Sequence, residues 1–279
     1  MWRHLLKSTR NLSSTTGSTV DTSELRHFKQ FANEWWNECG DLRALHSLNK
    51  LRIPLVRDGI LSVLQKSTQG TTPLKDISIL DVGCGGGILT EPLARIGGHV
   101  TGLDANCDLI EKAKLRTKEK NLKVDYLCSS IEKYACDNKE KHDAVVASEI
   151  LEHVTQKKEF LEACVQCLKP GGSVFITTIN KTPVANVLGI FVAENLLGLL
   201  PKGTHQYEKF IKPHNLEKIL EDLNCKTVLL QGLFYNFVGN EWHSSTNDTI
   251  KNALQTQKQK KTKKKTKKKK KKTKNTKKP

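Results

Sequence analysis

The stretch ILDVGCGGGILTEPLA constrains the fold of this chain more than any other. An aliphatic run ends at Asp81, glycines follow at the alternate positions Gly83, Gly85 and Gly87, and a helix is predicted to begin near Ile88. Glycines allow a tight turn and let a ligand lie against bare backbone where a helix starts. The dinucleotide pattern GxGxxG would need a glycine at 88, where Ile88 stands, which weakens a nicotinamide reading. A second strand, HVTGLD, ends at Asp104, 21 residues after the first glycine. An acidic residue at that place can receive ribose hydroxyls. The combination of strand, DxGxGxG, helix, strand and acidic residue points to a nucleoside-bearing cofactor.

The rest of the chain repeats this texture. ISILDV, HVTGLD, VDYLCS, DAVVAS and SVFITTI read as strands; ILTEPLARIG, ANCDLIEKAKLRTKEK, EFLEACVQCLK and PHNLEKILEDL read as helices. Strands are also expected near CKTVLLQ and LFYNFVG. Such alternation predicts an α/β fold with a doubly wound, mainly parallel sheet of seven strands covered on both faces. Before it, ELRHFKQFANEWWNE and LHSLNKLRIPLVRDGILSVLQ predict N-terminal helices, the second containing Pro54.

Charge divides the 279 residues unevenly. The formal net charge is +17, but residues 251–279 hold 16 lysines and no acid, leaving 30 basic against 29 acidic residues before them. Residues 246–279 are therefore expected to form a disordered, lysine-rich tail, either a solvated appendage or a binder of anionic surfaces. Lysine without interleaved aromatics gives only non-specific phosphate affinity, so no specific nucleic-acid partner is expected. On this reading, deleting residues 251–279 should leave catalysis unchanged. Residues 1–22, with Arg3, Lys7 and Arg10, many Ser and Thr, and no acid before Asp21, fit a mitochondrial presequence or an ordinary disordered terminus. A folded domain is expected over 23–245. Eight scattered cysteines, with a single CxxC at Cys164 and Cys167, suggest free thiols rather than a zinc site.

After the predicted strand DAVVAS comes EILEHV. If a helix starts there, Glu149, Glu152 and His153 stand at i, i+3 and i+4 and share a face. Two carboxylates and an imidazole could then hold a divalent cation. His153 could instead act alone as a general base, with Glu149 orienting it. The segment could also simply line the cofactor pocket. VANVLGIFVAENLLGLL, residues 184–200, is apolar with basic residues following, which suits either a helix at a bilayer interface or a lid or core helix.

Over residues 24–242 the chain resembles the ubiquinone-biosynthesis O-methyltransferase family, among the class I S-adenosylmethionine-dependent methyltransferases. The likeness runs through LHSLNKLR, LDVGCGGGILTEPLAR, VTGLDA, EILEHV, LKPGG and especially PKGTHQYEKFIKP. Beyond Trp242 the family's closing segment is replaced by HSSTNDTIKNALQ and the lysine run, which leaves the last strand's completeness open. The resemblance implies a Rossmann-like fold and S-adenosylmethionine bound by Arg52, Gly83, Asp104 and Ser148. It also implies magnesium at Glu149, Glu152 and His153, although magnesium prefers oxygen ligands to imidazole. The implied substrates are polyprenyl catechols (a dihydroxybenzoate and demethylubiquinol), whose phenol a metal could acidify. The implied setting is peripheral, on the matrix side of the mitochondrial inner membrane, within a ubiquinone-biosynthesis protein complex. Rival readings are a methyltransferase for another small aromatic and a non-catalytic scaffold of the same fold.

Overall fold

Short runs bounded by turns become five parallel strands, the inner ones buried by the helices that cross between them and the outermost, Asp125–Cys128, left largely exposed at the sheet edge. The computed structural model describes residues 19, 34–67, 69–182, 209–246 and 250–260. In chain order the elements are α1 (Arg43–Leu64), β1 (Ser78–Val82), α2 (Thr90–Arg95), β2 (His99–Asp104), α3 (Cys107–Glu119), β3 (Asp125–Cys128), α4 (Ile131–Asp137) and β4 (His142–Ser148). A 3-10 turn (Leu151–His153), α5 (Lys157–Cys167), β5 (Leu168–Ile179), α6 (Pro213–Asp222), β6 (Cys225–Asn236), β7 (Glu241–Ser245) and β8 (Lys251–Lys258) follow.

The described strands form one eight-stranded sheet in the order β3-β2-β1-β4-β5-β8-β6-β7. The first five are parallel, and β8 is antiparallel to both β5 and β6. The chain winds outward from β1 to β3 and returns at β4. That reversal opens a crevice at the carboxyl ends of β1 and β4, where open α/β sheets take ligands. Alternate residues sort to two faces. Ile79, Val146 and Phe175 meet Val56 and Ile60 of α1 and Leu93 of α2. Leu80, Val145 and Ile176 meet Ile131 of α4, Phe160 and Leu161 of α5 and Leu216 of α6.

Three expectations are corrected here. The sheet has eight described strands rather than seven: CKTVLLQ and LFYN join into the single strand β6, and β7, a hairpin partner of β6, and β8 are additional. Residues 251–258, assigned to the tail, form the buried strand β8 inside the sheet, paired from Ser173↔Gln257 to Ile179↔Lys251. NALQT carries little apolar periodicity because its buried polar residues, Asn252, Gln255 and Thr256, sit inside the sheet rather than at its edge. The thiols also differ. Register Asp104↔Cys128 brings the end of β3 beside the start of α3, and Cys107 and Cys128 are joined in a disulfide with Cα atoms 5.1 Å apart. The other six cysteines, the buried pair Cys164 and Cys167 among them, are free. Within the predicted presequence only Thr19 is described, and its Oγ1 donates to Glu132 Oε1 at 2.5 Å. The segment 184–200 and residues 261–279 lie outside the described residues, and no described helix is long and apolar enough to cross a membrane.

Because β8 joins β5 to β6, a chain ended at residue 250 should lose its cooperative unfolding transition, whereas one ended at residue 260 should keep it. Thermal unfolding followed by circular dichroism distinguishes the two, and a cooperative transition in the shorter chain would contradict the assigned role of β8. The core also carries a pH signature. His142 is wholly buried between Ser78 Oγ and Tyr134 Oη, each 2.9 Å from a ring nitrogen, and burial lowers its pKa from 6.5 to about 4. The unfolded chain accepts this proton near pH 6.5 and the folded chain resists it. The stability contributed is complete above pH 6.5 and lost as pH falls toward 4, roughly 3–4 kcal/mol at about 1.4 kcal/mol per pH unit. Urea midpoints at pH 7.5 and 4.5 should show this loss in the wild type and a smaller one in His142→Gln; parallel losses in both would remove His142 as the cause.

Candidate active site

The loop after β1 is shaped by its glycines and braced by its neighbours. Gly83 and Gly85 sit at φ +73° and +54°, where a Cβ would meet Ile150 at 2.7 Å and the Trp35 ring at 2.2 Å. Only glycine combines that conformation with that closeness. The Gly85 N–H donates to Asp104 Oδ2 at 2.8 Å, and the Asn106 N–H donates to Asp104 Oδ1 at 2.7 Å. Asp104, at the end of β2, is thus a brace for the glycine loop as well as the acidic group predicted for a ribose. From the N-terminal side, Trp36 Nε1 donates to Gly86 O at 3.1 Å and Asn49 Nδ2 to Ile88 O at 2.7 Å.

The second half of the site is a chain of hydrogen bonds whose direction is fixed. The Arg52 guanidinium, on α1, donates through NH1 to Ser148 Oγ at 3.0 Å and through NH2 to Leu45 O and Asn49 Oδ1. Ser148 Oγ lies 2.7 Å from Thr177 Oγ1, and Thr177 Oγ1 donates to Glu149 Oε1 at 2.6 Å. A threonine hydroxyl has one proton. Thr177 gives its proton to the carboxylate, so Ser148 must donate to Thr177. The order is therefore Arg52 to Ser148 to Thr177 to Glu149, and Glu149 Oε2 closes it with an ion pair to Lys251 Nζ from β8.

Burial sets the charges. It lowers the Arg52 pKa to about 10 against the opposing pull of Glu149 and Asp81, and it raises the Asp81 pKa to about 6 despite a 2.6 Å bond from Thr90 and the field of Arg52. Burial also raises Asp104, partly offset by the Asn106 and Gly85 amides and by His153. Burial pushes Glu149 upward, but Lys251, Thr177 and Arg52 together outweigh it and hold the carboxyl below its ordinary range.

Of the residues predicted for the cofactor, Arg52 and Ser148 are in direct contact, while Gly83 and Asp104 lie on the adjoining braced loop. The predicted ligand triad of Glu149, Glu152 and His153 does not assemble. Glu149 is not the start of a helix but sits at φ +58°, a left-handed conformation, and only Leu151–His153 form a 3-10 turn. Glu149 accepts from Thr177, whereas Glu152 Oε1 accepts from Thr178 Oγ1 at 2.7 Å and from the Ile179 amide at 2.5 Å. Successive strand residues point to opposite faces, so the two carboxylates are held on opposite sides of β5. Among the described residues no three of His, Cys, Asp and Glu stand together to hold a metal ion. Thr177 and Thr178 were legible only as strand residues, and Lys251 was hidden among the lysines counted as tail.

Residues 80–176 match the model of the methyltransferase domain family. The chain is 43% identical over 250 residues to the mitochondrial ubiquinone biosynthesis O-methyltransferase of Mus musculus, covering 88% of this chain and 66% of that one. It is 39% identical over 234 residues to the ubiquinone biosynthesis O-methyltransferase of Sinorhizobium fredii, covering 84% and 94%. The chain belongs to the ubiquinone biosynthesis O-methyltransferase family. In fold it is similar to the plantazolicin methyltransferase BamL, solved with a triazolic desmethylPZN analogue and SAH, at a TM-score of 0.59 and 15% identity over 85% of this chain and 97% of that one. As a family member it is an S-adenosylmethionine-dependent O-methyltransferase, with the Rossmann-like sheet expected of one. The chain spans about two thirds of the mouse relative's length, and the mouse relative is named mitochondrial while the bacterial one is not.

Asp104→Ala removes the brace and the acidic group expected to receive a ribose, so affinity for S-adenosylmethionine should fall by about 1.5–3 kcal/mol, roughly ten- to hundredfold in Kd. Isothermal calorimetry on the folded variant measures this directly, and an unchanged Kd would remove Asp104 from the cofactor site.

Proposed function

We propose that the chain methylates a phenol oxygen of polyprenyl catechols, the dihydroxybenzoate and demethylubiquinol intermediates of ubiquinone biosynthesis. What supports this is the convergence at the carboxyl ends of β1, β2 and β4, where the glycine loop braced by Asp104 adjoins the Arg52–Ser148 pair, in a chain 39–43% identical to the family relatives above. When bound there, S-adenosylmethionine supplies an electrophilic methyl on a sulfonium. Asp104 takes the ribose hydroxyls, the bare backbone at Gly83 lets the cofactor lie close, and Arg52 and Ser148 hold its amino-acid end. The Arg52 Nε is buried without a hydrogen-bond partner, a donor left over for a carboxylate. His153 serves as general base. As the phenol oxygen bonds to the methyl carbon and the sulfonium–carbon bond breaks, the phenol proton passes to the imidazole and a neutral thioether leaves.

The residues around Glu149 do not fit a divalent cation as they stand, because Glu149 and Glu152 face apart and Glu149 is already bonded on both oxygens. No step is routed through magnesium. The apolar sequence of residues 184–200 suits contact with a membrane in which such a substrate dissolves, which agrees with a peripheral place on the matrix side of the mitochondrial inner membrane and contact with other enzymes of the pathway.

The test is turnover of a short-chain prenyl catechol by the full-length chain. One methylated product and one S-adenosylhomocysteine should form per cycle. His153→Ala should slow single turnover by about 10²-fold or more with cofactor affinity unchanged. Methylation of simple catechols but never of prenylated ones would discard the substrate assignment, and a wild-type rate in His153→Ala would discard the base.

A further inference from the structure

A sheet register places Lys251 beside the site. Pairing with Ile179 puts it at the carboxyl end of β5, the edge of the sheet that carries the site. It is 6% exposed, its Nζ pairs with Glu149 Oε2, and it lies 4.7 Å from the centre of the Trp242 ring. Glu149 is thereby saturated by one hydroxyl proton and one ammonium. A divalent ion binding that carboxylate would have to displace the ammonium from its ion pair. The geometry points to Lys251 as the resident counter-cation of Glu149, a positioning residue that fills from within the chain the place where the EILEHV motif suggests a metal. This rests on the methyl-transfer reading above, but its physical core, competition between an ammonium and a divalent ion for one carboxylate, does not.

The full-length wild type, Lys251→Met, Lys251→Arg and the double variant Lys251→Met/Glu149→Gln are compared in thoroughly chelated buffer and with added Mn2+ or Mg2+. Manganese binding is read by electron paramagnetic resonance and thermal midpoint, and turnover is read separately. The wild type should bind no manganese at this site and keep its rate in chelator. Lys251→Met should lose at least tenfold in chelator, acquire one manganese site and regain rate with Mg2+, while Lys251→Arg should remain indifferent to chelator. Should Lys251→Met fail to fold, the double variant, relieved of the stranded carboxylate, should still fold and bind no manganese. A wild-type manganese site abolished by Glu149→Gln overturns the inference. So does Lys251→Met with wild-type rate and no metal site, or a double variant that melts no later than the single one. Absence of methyl transfer in every protein condemns the activity reading alone, because the resonance and melting measurements still decide what Lys251 does.

Discussion

The antiparallel ladder between β5 and β8 is the constraint on which both the far half of the sheet and the charge of the site depend. Seven residue pairs, Ser173↔Gln257 through Ile179↔Lys251, fix where β8 lies. From that register β6 gains a partner, β7 gains β6, and Trp242 of β7 reaches back to donate from Nε1 to Ala44 O of α1 at 2.8 Å. A slip of one residue would turn Lys251 from the face of Thr177 to that of Thr178 and replace the ammonium at Glu149 with the amide of Asn252. Strand pairing and active-site electrostatics are therefore one specification, written in the same eight residues.

Buried charge explains why that specification must be met in full. Lys251 is buried and Glu149 keeps 21% of its side chain exposed, so the pair is mostly withdrawn from water, and removing one partner of a buried pair typically costs about 3–5 kcal/mol because the other is left uncompensated. Arg52 stands at the opposite end of the same chain of hydroxyls, so the carboxylate is approached by positive charge from both sides. Hydrogen bonds in a fixed donor order polarise one another in a low-dielectric interior. The left-handed Glu149 backbone, an arrangement that costs of order 1–3 kcal/mol in a non-glycine residue, is sustained by these fixed partners.

The near half of the fold was legible because its signals are local. HVTGLD is β2 residue for residue, PHNLEKILED is α6, and the glycine loop stands between β1 and α2 as its spacing implied. The far half depends on pairing between distant residues. A strand reading KNALQTQK has neither alternation nor an apolar run, and its burial follows from being flanked by β5 and β6 rather than from its composition. The site divided in the same way. Gly83 and Asp104 stand at the strand ends where the loop spacing put them, and Arg52 and Ser148, implied by the family resemblance alone, meet in a hydrogen bond. The metal triad failed because helical spacing was assumed where the chain makes a left-handed step and a 3-10 turn, and a change of φ at one residue redirects every side chain after it.

The polarity of the crevice follows from these parts. Asp81 in β1 and Asp104 at the end of β2 have pKa values raised by burial, Asp81 to about 6, so burial works against ionising either carboxyl. A ligand bringing positive charge beside them favours the ionised forms, and an anionic ligand opposes them. Meanwhile Lys251 neutralises Glu149, which keeps that carboxylate from competing for the same cation. A permanent cation with no acidic proton would meet that condition without giving a proton to Asp81 or Asp104.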